Sequence, residues 1–319
     1  MYVGVDLGGT KIAAAIVNDE GMIIKKVQAS TVADGGPDDV VKGIIESCDT
    51  LLAKSEEQPS SIGIGVPGTV RDDIGLVVFT PNLPLRDVHM ADILRKVYKC
   101  PVLLGNDANC AALGEVVAGG AKGAKDVVMI TLGTGLGGGV IIGGKLHTGL
   151  SGAGGELGHM VIFPGGRMCG CGRRGCWETY AAATGLKNTA LEFMEENPDS
   201  LMWELCEGTT NKLNGMIIFE AYRAADPTAI FTVSKYIEHL SIGVIDIINM
   251  LEPELFCVGG GISNAWDCIE KPLTEAVEKE KFMRFSSDVP GTKLVKATLG
   301  NDAGIIGAAM LGRERAKEE

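Results

Sequence analysis

Apolar side chains recur at every second position of Tyr2-Val3-Gly4-Val5-Asp6-Leu7, stop at Gly8-Gly9-Thr10, and resume in Lys11-Ile12-Ala13-Ala14-Ala15-Ile16-Val17. Alternation of this kind predicts two strands joined by a glycine turn. Asn18-Asp19-Glu20-Gly21 is the next turn and Met22-Ile23-Ile24 a third strand. From Pro37 the period lengthens to that of a helix, with Val40, Val41, Ile44, Ile45, Cys48, Leu51 and Leu52 on one face. The run Ile62-Gly63-Ile64-Gly65-Val66 predicts a strand ending in the turn Pro67-Gly68. Pro101-Val102-Leu103-Leu104 predicts a short buried strand that enters Asn106-Asp107-Ala108-Asn109 and a helix reaching Glu115.

Ala118 to Lys125 is poor in core residues and reads as a domain junction. Beyond it, Asp126 to Ile130 reads as a strand, Gly133 to Gly139 as a glycine loop, and Val140 to Leu146 as strand and turn. Thr179 to Asn249 is mainly helical in pattern, Leu255 to Val258 is a buried strand ending at Gly259-Gly260-Gly261, and Asp302 to Lys317 is one helix. Strands interleaved with helices predict an α/β class. The strand, glycine turn and strand at Val5 to Thr10 is echoed at Ile130 to Gly135, which suggests a duplicated α/β unit.

At 319 residues the chain has room for about two domains. Its 45% hydrophobic and 22% charged residues exclude disorder, collagen and coiled coil. It has neither an apolar run of roughly 18 residues nor the basic, apolar start of a signal peptide, so a cytosolic protein without a membrane span is expected. A formal net charge of −12 repels nucleic acid phosphates. Glycine is in excess at 45 residues while proline, at 12, is not, which points to backbone brought close to a ligand or to other backbone.

Three chemistries compete for Gly133-Thr134-Gly135-Leu136-Gly137-Gly138-Gly139-Val140. The dinucleotide fingerprint needs a helix to open at the glycines, whereas a strand follows here. A protein-kinase loop needs downstream partners that are absent, and a Walker loop needs Gly-Lys-Ser/Thr, whereas Gly9 is followed by Thr10-Lys11 in the opposite order. A phosphate-gripping hairpin fits best: glycines let backbone N–H groups point at phosphate oxygens, and threonines add donors. The turns Gly8-Gly9-Thr10 and Gly133-Thr134-Gly135, facing one another, would hold a triphosphate.

Asp107, at a strand end that becomes a helix start, is either an N-cap or a general base held rigidly. His159, Cys169, Cys171 and Cys176 offer one imidazole and three thiolates, the donor set of a closed structural zinc; the alternative is free thiols in a loop. Arg173-Arg174 beside them reads as solvated charge, and His89, His147 and His239 as surface or packing residues.

Taken in order, Asp6-Leu7-Gly8-Gly9-Thr10-Lys11, Asn106-Asp107-Ala108-Asn109, the Gly133 loop, Glu156-Leu157-Gly158-His159 and Cys169-Gly170-Cys171-Gly172-Arg173-Arg174-Gly175-Cys176-Trp177-Glu178 resemble the ROK family of bacterial sugar kinases, its glucokinase branch most of all. The resemblance runs from Asp6 to Asn301-Asp302-Ala303-Gly304. It implies a two-domain actin-like or hexokinase (ribonuclease H-like) α/β fold with an interdomain cleft. Residues 1–117 with 302–319 would form the small domain, and 118–301 the large domain carrying the zinc loop.

The resemblance also implies ATP-dependent phosphorylation of a hexose, D-glucose first, at the entry to glycolysis. Asp107 would be the base and Asn106 a ligand of the sugar hydroxyls. Gly68, Asn82, Glu156, His159 and Glu178 would line the sugar pocket, and Asp6 would lie near the nucleotide's magnesium. Gly8, Gly9, Thr10, Lys11, Thr131, Gly133, Thr134 and Gly135 would meet phosphates, and Gly260 and Gly261 the nucleoside. Zinc would be structural and the chain a homodimer or higher homo-oligomer. N-acetylmannosamine, N-acetylglucosamine, mannose or fructose as substrate, and polyphosphate as donor, stay open. A sugar-responsive repressor is disfavoured, because Asp6 lies five residues after Met1 and leaves no room for a helix-turn-helix. An actin-like switch would not need Asp107 together with Glu156, His159 and Glu178.

Overall fold

The alternation at the start of the chain becomes a sheet. In the computed structural model, residues 1–53, 57–283 and 289–316 are described; Lys317, expected to end the last helix, and residues 318 and 319 lie outside them. The chain order begins β1 (Tyr2–Leu7), β2 (Lys11–Val17), β3 (Ile23–Ser30), α1 (Pro37–Leu52), β4 (Ser61–Val66), β5 (Thr69–Arg71) and β6 (Leu76–Phe79). Next come β7 (Arg86–Val88), α2 (Met90–Tyr98), β8 (Val102–Asn106), α3 (Asp107–Ala118), β9 (Val127–Leu132), β10 (Leu136–Ile142) and β11 (Lys145–Leu146). The remainder is α4 (Glu178–Ala181), α5 (Ala183–Glu196), α6 (Leu201–Leu205), α7 (Gly215–Arg223), α8 (Pro227–Leu251), β12 (Leu255–Gly259), α9 (Trp266–Glu280), β13 (Lys293–Lys296) and α10 (Ala303–Ala316).

The chain divides into two compact units: Met1–Val128 with Gly139–Gly155 and Ala297–Glu319, and Met129–Gly138 with Glu156–Lys296. The strands make two five-stranded sheets, ordered β3-β2-β1-β4-β8 and β11-β10-β9-β12-β13, and a small sheet β5-β6-β7. Gly137 to Gly139, expected as loop, lie within β10. At Gly139 the lack of a side chain serves packing rather than a turn: a Cβ there would lie 2.5 Å from Ala112 Cβ on α3.

The first unit packs on both faces of its sheet. Val3, Val5, Leu7, Ile12, Ala14 and Ile16 share one face and are buried with Val40, Ile44 and Cys48 of α1 and Met90, Leu94 and Tyr98 of α2. The other face is nearly bare: Ala15 of β2, Gly4 of β1 and Gly63 of β4 stand in one row. Helix α10 lies directly on it, so a Cβ on Gly63 would fall 1.8 Å from the Ala308 carbonyl oxygen. Gly307 gives α10 the same closeness to α3, where its Cβ would be 1.6 Å from the Cys110 carbonyl oxygen.

Glu115, fully buried near the end of α3, accepts backbone N–H groups from Gly120 (2.7 Å), Thr298 (3.0 Å) and Leu299 (2.8 Å). It therefore joins the exit of α3 to the approach to α10, and those bonds compensate a carboxylate that burial alone would penalise. Because overpacking at a backbone contact cannot be relieved by a rotamer change, Gly307→Ala is expected to lower the unfolding free energy by about 3 kcal/mol. Urea denaturation of the variant and the parent checks this.

Candidate active site

Strands β1, β4 and β8 are adjacent and parallel, so their carboxyl ends lie side by side, where ligands of open α/β sheets bind. Asp6 is the last but one residue of β1, opposite Gly65, and Asn106 ends β8 opposite Val66, with Gly68 just beyond. The N-cap of α3 is Asn106 and not Asp107. Asn106 has extended backbone, and its side-chain oxygen accepts the N–H groups of Ala108 (3.0 Å) and Asn109 (3.1 Å). Its Nδ2 donates to the Gly68 carbonyl at 3.2 Å. Asp107 is thereby displaced into the first helical turn, where Oδ1 accepts the Ala108 N–H at 2.9 Å and the free helix N–H groups favour a carboxylate.

The Gly8-Gly9-Thr10 turn closes with the Gly8 N–H on the Lys11 carbonyl at 2.8 Å. Thr31 holds it from β3's extension, its hydroxyl donating to the Gly8 carbonyl at 2.8 Å. Asn82 belongs to a turn pinned by the Thr80 hydroxyl on the Leu83 carbonyl at 2.8 Å, and it faces Gly9. The structure thus brings Asn82 to the Gly8-Gly9-Thr10 turn and Gly68 to Asn106. Burial pushes the Asp6 carboxyl upward, and the charges of Lys11 and Lys26 pull it back.

Lys26 is ion-paired with Asp302, and Gly304 at the start of α10 faces the Asp6 carboxylate. Neither Lys26 nor Asp302 stands out in the sequence as a site residue. Lys26 is one of two adjacent lysines on an outer strand, and only the sheet register separates it from Lys25.

In the second unit, Thr131 lies on β9, and Gly133 to Gly135 form the turn into β10, the Gly133 N–H donating to the Gly135 carbonyl at 3.0 Å. Gly260, at φ 83°, packs against Leu132. Its neighbour Gly261 opens a short 3-10 turn. Glu156 precedes the 3-10 turn Leu157–His159, and the His159 N–H donates to its carbonyl at 3.1 Å. Glu178 opens α4, and its Oε2 accepts the Leu136 N–H at 3.0 Å. A cavity of about 600 Å³ opens beside it, walled by Arg167, Met168, Thr184, Asn188 and Glu192. That is within the size range of small-molecule sites.

The ligand atoms of His159, Cys169, Cys171 and Cys176 all lie within 4.8 Å of one another. His159 Nδ1 is 3.6 Å from Cys169 Sγ, and the Cys171 and Cys176 sulfurs are 3.7 Å apart. A tetrahedral zinc with Zn–S near 2.3 Å and Zn–N near 2.1 Å sets such edges at roughly 3.5–3.8 Å. Those two edges match, and the donor set of one imidazole and three thiols fits the ion. Gly172 and Gly175 make the tight turns at φ 87° and 85°. Burial pushes the Cys169 thiol up to about 12 and raises that of Cys176, while the Arg173 N–H lowers that of Cys171. A dication supplies the charge that ionised thiols need there.

Arg173 and Arg174 are exposed and donate to the His159 and Gly166 carbonyls at 3.3 Å each. His239, by contrast, is buried, with its ring against those of Phe163 and Tyr180.

The ROK family model matches residues 2–315. The chain is 39% identical over 315 residues to the glucokinase of Thermotoga maritima, covering 98% of this chain and 97% of that one. It is 32% identical to the N-acetyl-D-glucosamine kinase of Mannheimia succiniciproducens, over 98% of this chain and 99% of that one. Among solved structures, a ROK family glucokinase from Streptomyces griseus in complex with glucose and AMPPNP superposes with a TM-score of 0.80 at 34% identity, over 98% of this chain and 99% of that one. No helix among the described residues is long and apolar enough to cross a membrane.

Burial lowers the His239 imidazole to about 4, and its Nδ1 has no hydrogen-bond partner. Between that value and the unfolded value near 6.5, the unfolded chain binds a proton that the folded chain does not. Stability from this residue is therefore complete above pH 6.5 and is lost as the pH falls towards 4. Urea titrations across that window are expected to show the slope, and His239→Phe to flatten it.

Proposed function

The chain belongs to the ROK family and has the two-domain actin-like sugar-kinase fold, and from that premise we propose that it transfers the γ-phosphoryl group of ATP to the 6-hydroxyl of a hexose, D-glucose before others. The observation that carries the reading is the pair Asn106-Asp107 at the carboxyl end of β8, with Asn106 spent as the cap and Asp107 left at the helix entrance. The choice of glucose is supported by identity: the glucokinase relatives match at 36–39% and the amino-sugar kinases at 31–32%.

In this reading the Asp107 carboxylate takes the proton of the 6-hydroxyl as its oxygen attacks phosphorus, and ADP leaves. Asn106, Gly68 and Asn82 line the sugar site, and Glu156, His159 and Glu178 hydrogen-bond the ring hydroxyls. Each hydroxyl both donates and accepts, so a site of carboxylates, amide and imidazole rejects analogues by leaving its own polar groups unpaired. Gly8, Gly9, Thr10, Lys11, Thr131, Gly133, Thr134 and Gly135 receive phosphates, and Gly260 and Gly261 the nucleoside.

Asp6 is the carboxylate that would face magnesium, an ion that neutralises phosphate charge when bound. His159, Cys169, Cys171 and Cys176 would hold zinc as a structural ion. With Nδ1 of His159 turned to the thiolates, Nε2 is the ring nitrogen left for a hydroxyl. A three-thiol donor set suits a reducing compartment, which supports the cytoplasm. The homodimer or larger assembly rests on the family resemblance.

Glucose is expected to give the highest kcat/KM in a panel of hexoses and amino sugars with ATP; an amino sugar ahead of glucose would overturn the substrate. Asp107→Asn should fold and bind glucose yet lose about 10²–10⁴ in kcat. Metal analysis of protein purified without chelator should find one zinc per chain, and stripping it should weaken glucose binding and lower Tm together; a zinc-free, fully active protein would refute the site.

A further inference from the structure

Glu178 enters the reading above as a hexose ligand, a role that accounts for none of its contacts with the protein. Its Oε2 accepts the Leu136 N–H at 3.0 Å, where the Gly133 turn re-enters the sheet, and its Oε1 is 3.6 Å from Cys169 Sγ. Two more bonds reach the same turn from the residues that follow it. The Ala183 N–H donates to the Gly133 carbonyl at 2.9 Å, and the Thr184 hydroxyl donates to the Thr134 carbonyl at 3.3 Å.

The segment making these bonds is firmly seated. Trp177, fully buried, donates its backbone N–H to the Met160 carbonyl at 2.7 Å and its indole N–H to the His239 carbonyl at 3.0 Å.

Gly135 shows the same constraint from the opposite side. Its φ is not in the left-handed region, so nothing in its conformation demands glycine. A Cβ there would instead lie 2.5 Å from Glu178 Oε2. A side chain there requires the Glu178 carboxylate to shift from its place beside the Leu136 N–H.

We propose that Glu178 is a positioning residue for the nucleotide: its carboxylate pins the Gly133–Leu136 turn in the form that receives phosphate, and so sets nucleotide affinity in the absence of hexose. This rests on the reading that the turn takes the phosphates of ATP. A carboxylate beside a phosphate path repels it, so the benefit must lie in the hydrogen bond it accepts and in the ordering of the turn before binding. Charge and acceptor are therefore separable. Gln keeps the acceptor oxygen without the charge, and Ala removes both.

The test is calorimetric titration of the whole chain with MgADP, without hexose. Glu178→Ala is expected to weaken binding about tenfold, while Glu178→Gln stays within about threefold of the parent or binds more tightly. Gly135→Ala should weaken binding about as much as Glu178→Ala. The double variant should be no weaker than either single one, because both remove the same bond.

Unchanged affinity in Glu178→Ala, or Glu178→Gln as weak as Glu178→Ala, would overturn the proposal. Should Glu178→Ala fail to fold, Gly135→Ala carries the test alone, and parental affinity there contradicts it. A parent chain that binds no nucleotide would instead overturn the proposed function, so the two failures are distinguishable.

Discussion

Backbone packed on backbone, with no side chain between, is the constraint on which the first unit rests. Gly63 lies against the Ala308 carbonyl and Gly307 against that of Cys110, so α10 is held at once to the sheet and to α3. Contacts this close have no rotamer freedom and fix helix positions to fractions of an ångström. Two consequences bear on function. The start of α10 is brought to Asp6, and α3, which begins at Asp107, is held along its length, with Glu115 fastening its far end. Part of the glycine excess is thus a packing device.

The second unit reaches rigidity by another route. His159, Cys169, Cys171 and Cys176 converge in a loop braced by the bridges Val161–Cys176 and Met168–Arg174. Behind it, Trp177 is buried and the Tyr180 hydroxyl accepts the Arg167 N–H at 2.8 Å. The loop lies between His159 and Glu178, and Glu178 is bonded to the glycine turn through the Leu136 N–H. A structural ion held at this place would order both sides of the loop without taking part in the chemistry.

Much of this was legible in the chain itself. The first hairpin follows from apolar runs broken at Gly8-Gly9-Thr10, and α1 and the helical stretch after Thr179 follow from periodicity. The metal loop follows from spacing because its donors are local. What was not legible has physical reasons. β5, β6 and β7 have three or four residues each, too few for alternation to register. Gly139 resembles loop until Ala112 is seen beside it. Asn106 and Asp107 are both good caps, and only backbone angles tell which one is used. The Glu178–Leu136 bond spans 42 residues, and Lys26 meets Asp302 across 276, distances no local pattern encodes.

The central claim is that one carboxylate at the entrance of α3 primes the alcohol that receives phosphorus. A crystal structure of this chain with glucose and MgADP tests it most directly. The glucose O6 is expected about 2.6–3.2 Å from an Asp107 carboxylate oxygen. A well-ordered sugar whose O6 lies beyond reach of Asp107, with another hydroxyl or no hydroxyl in its place, would contradict it.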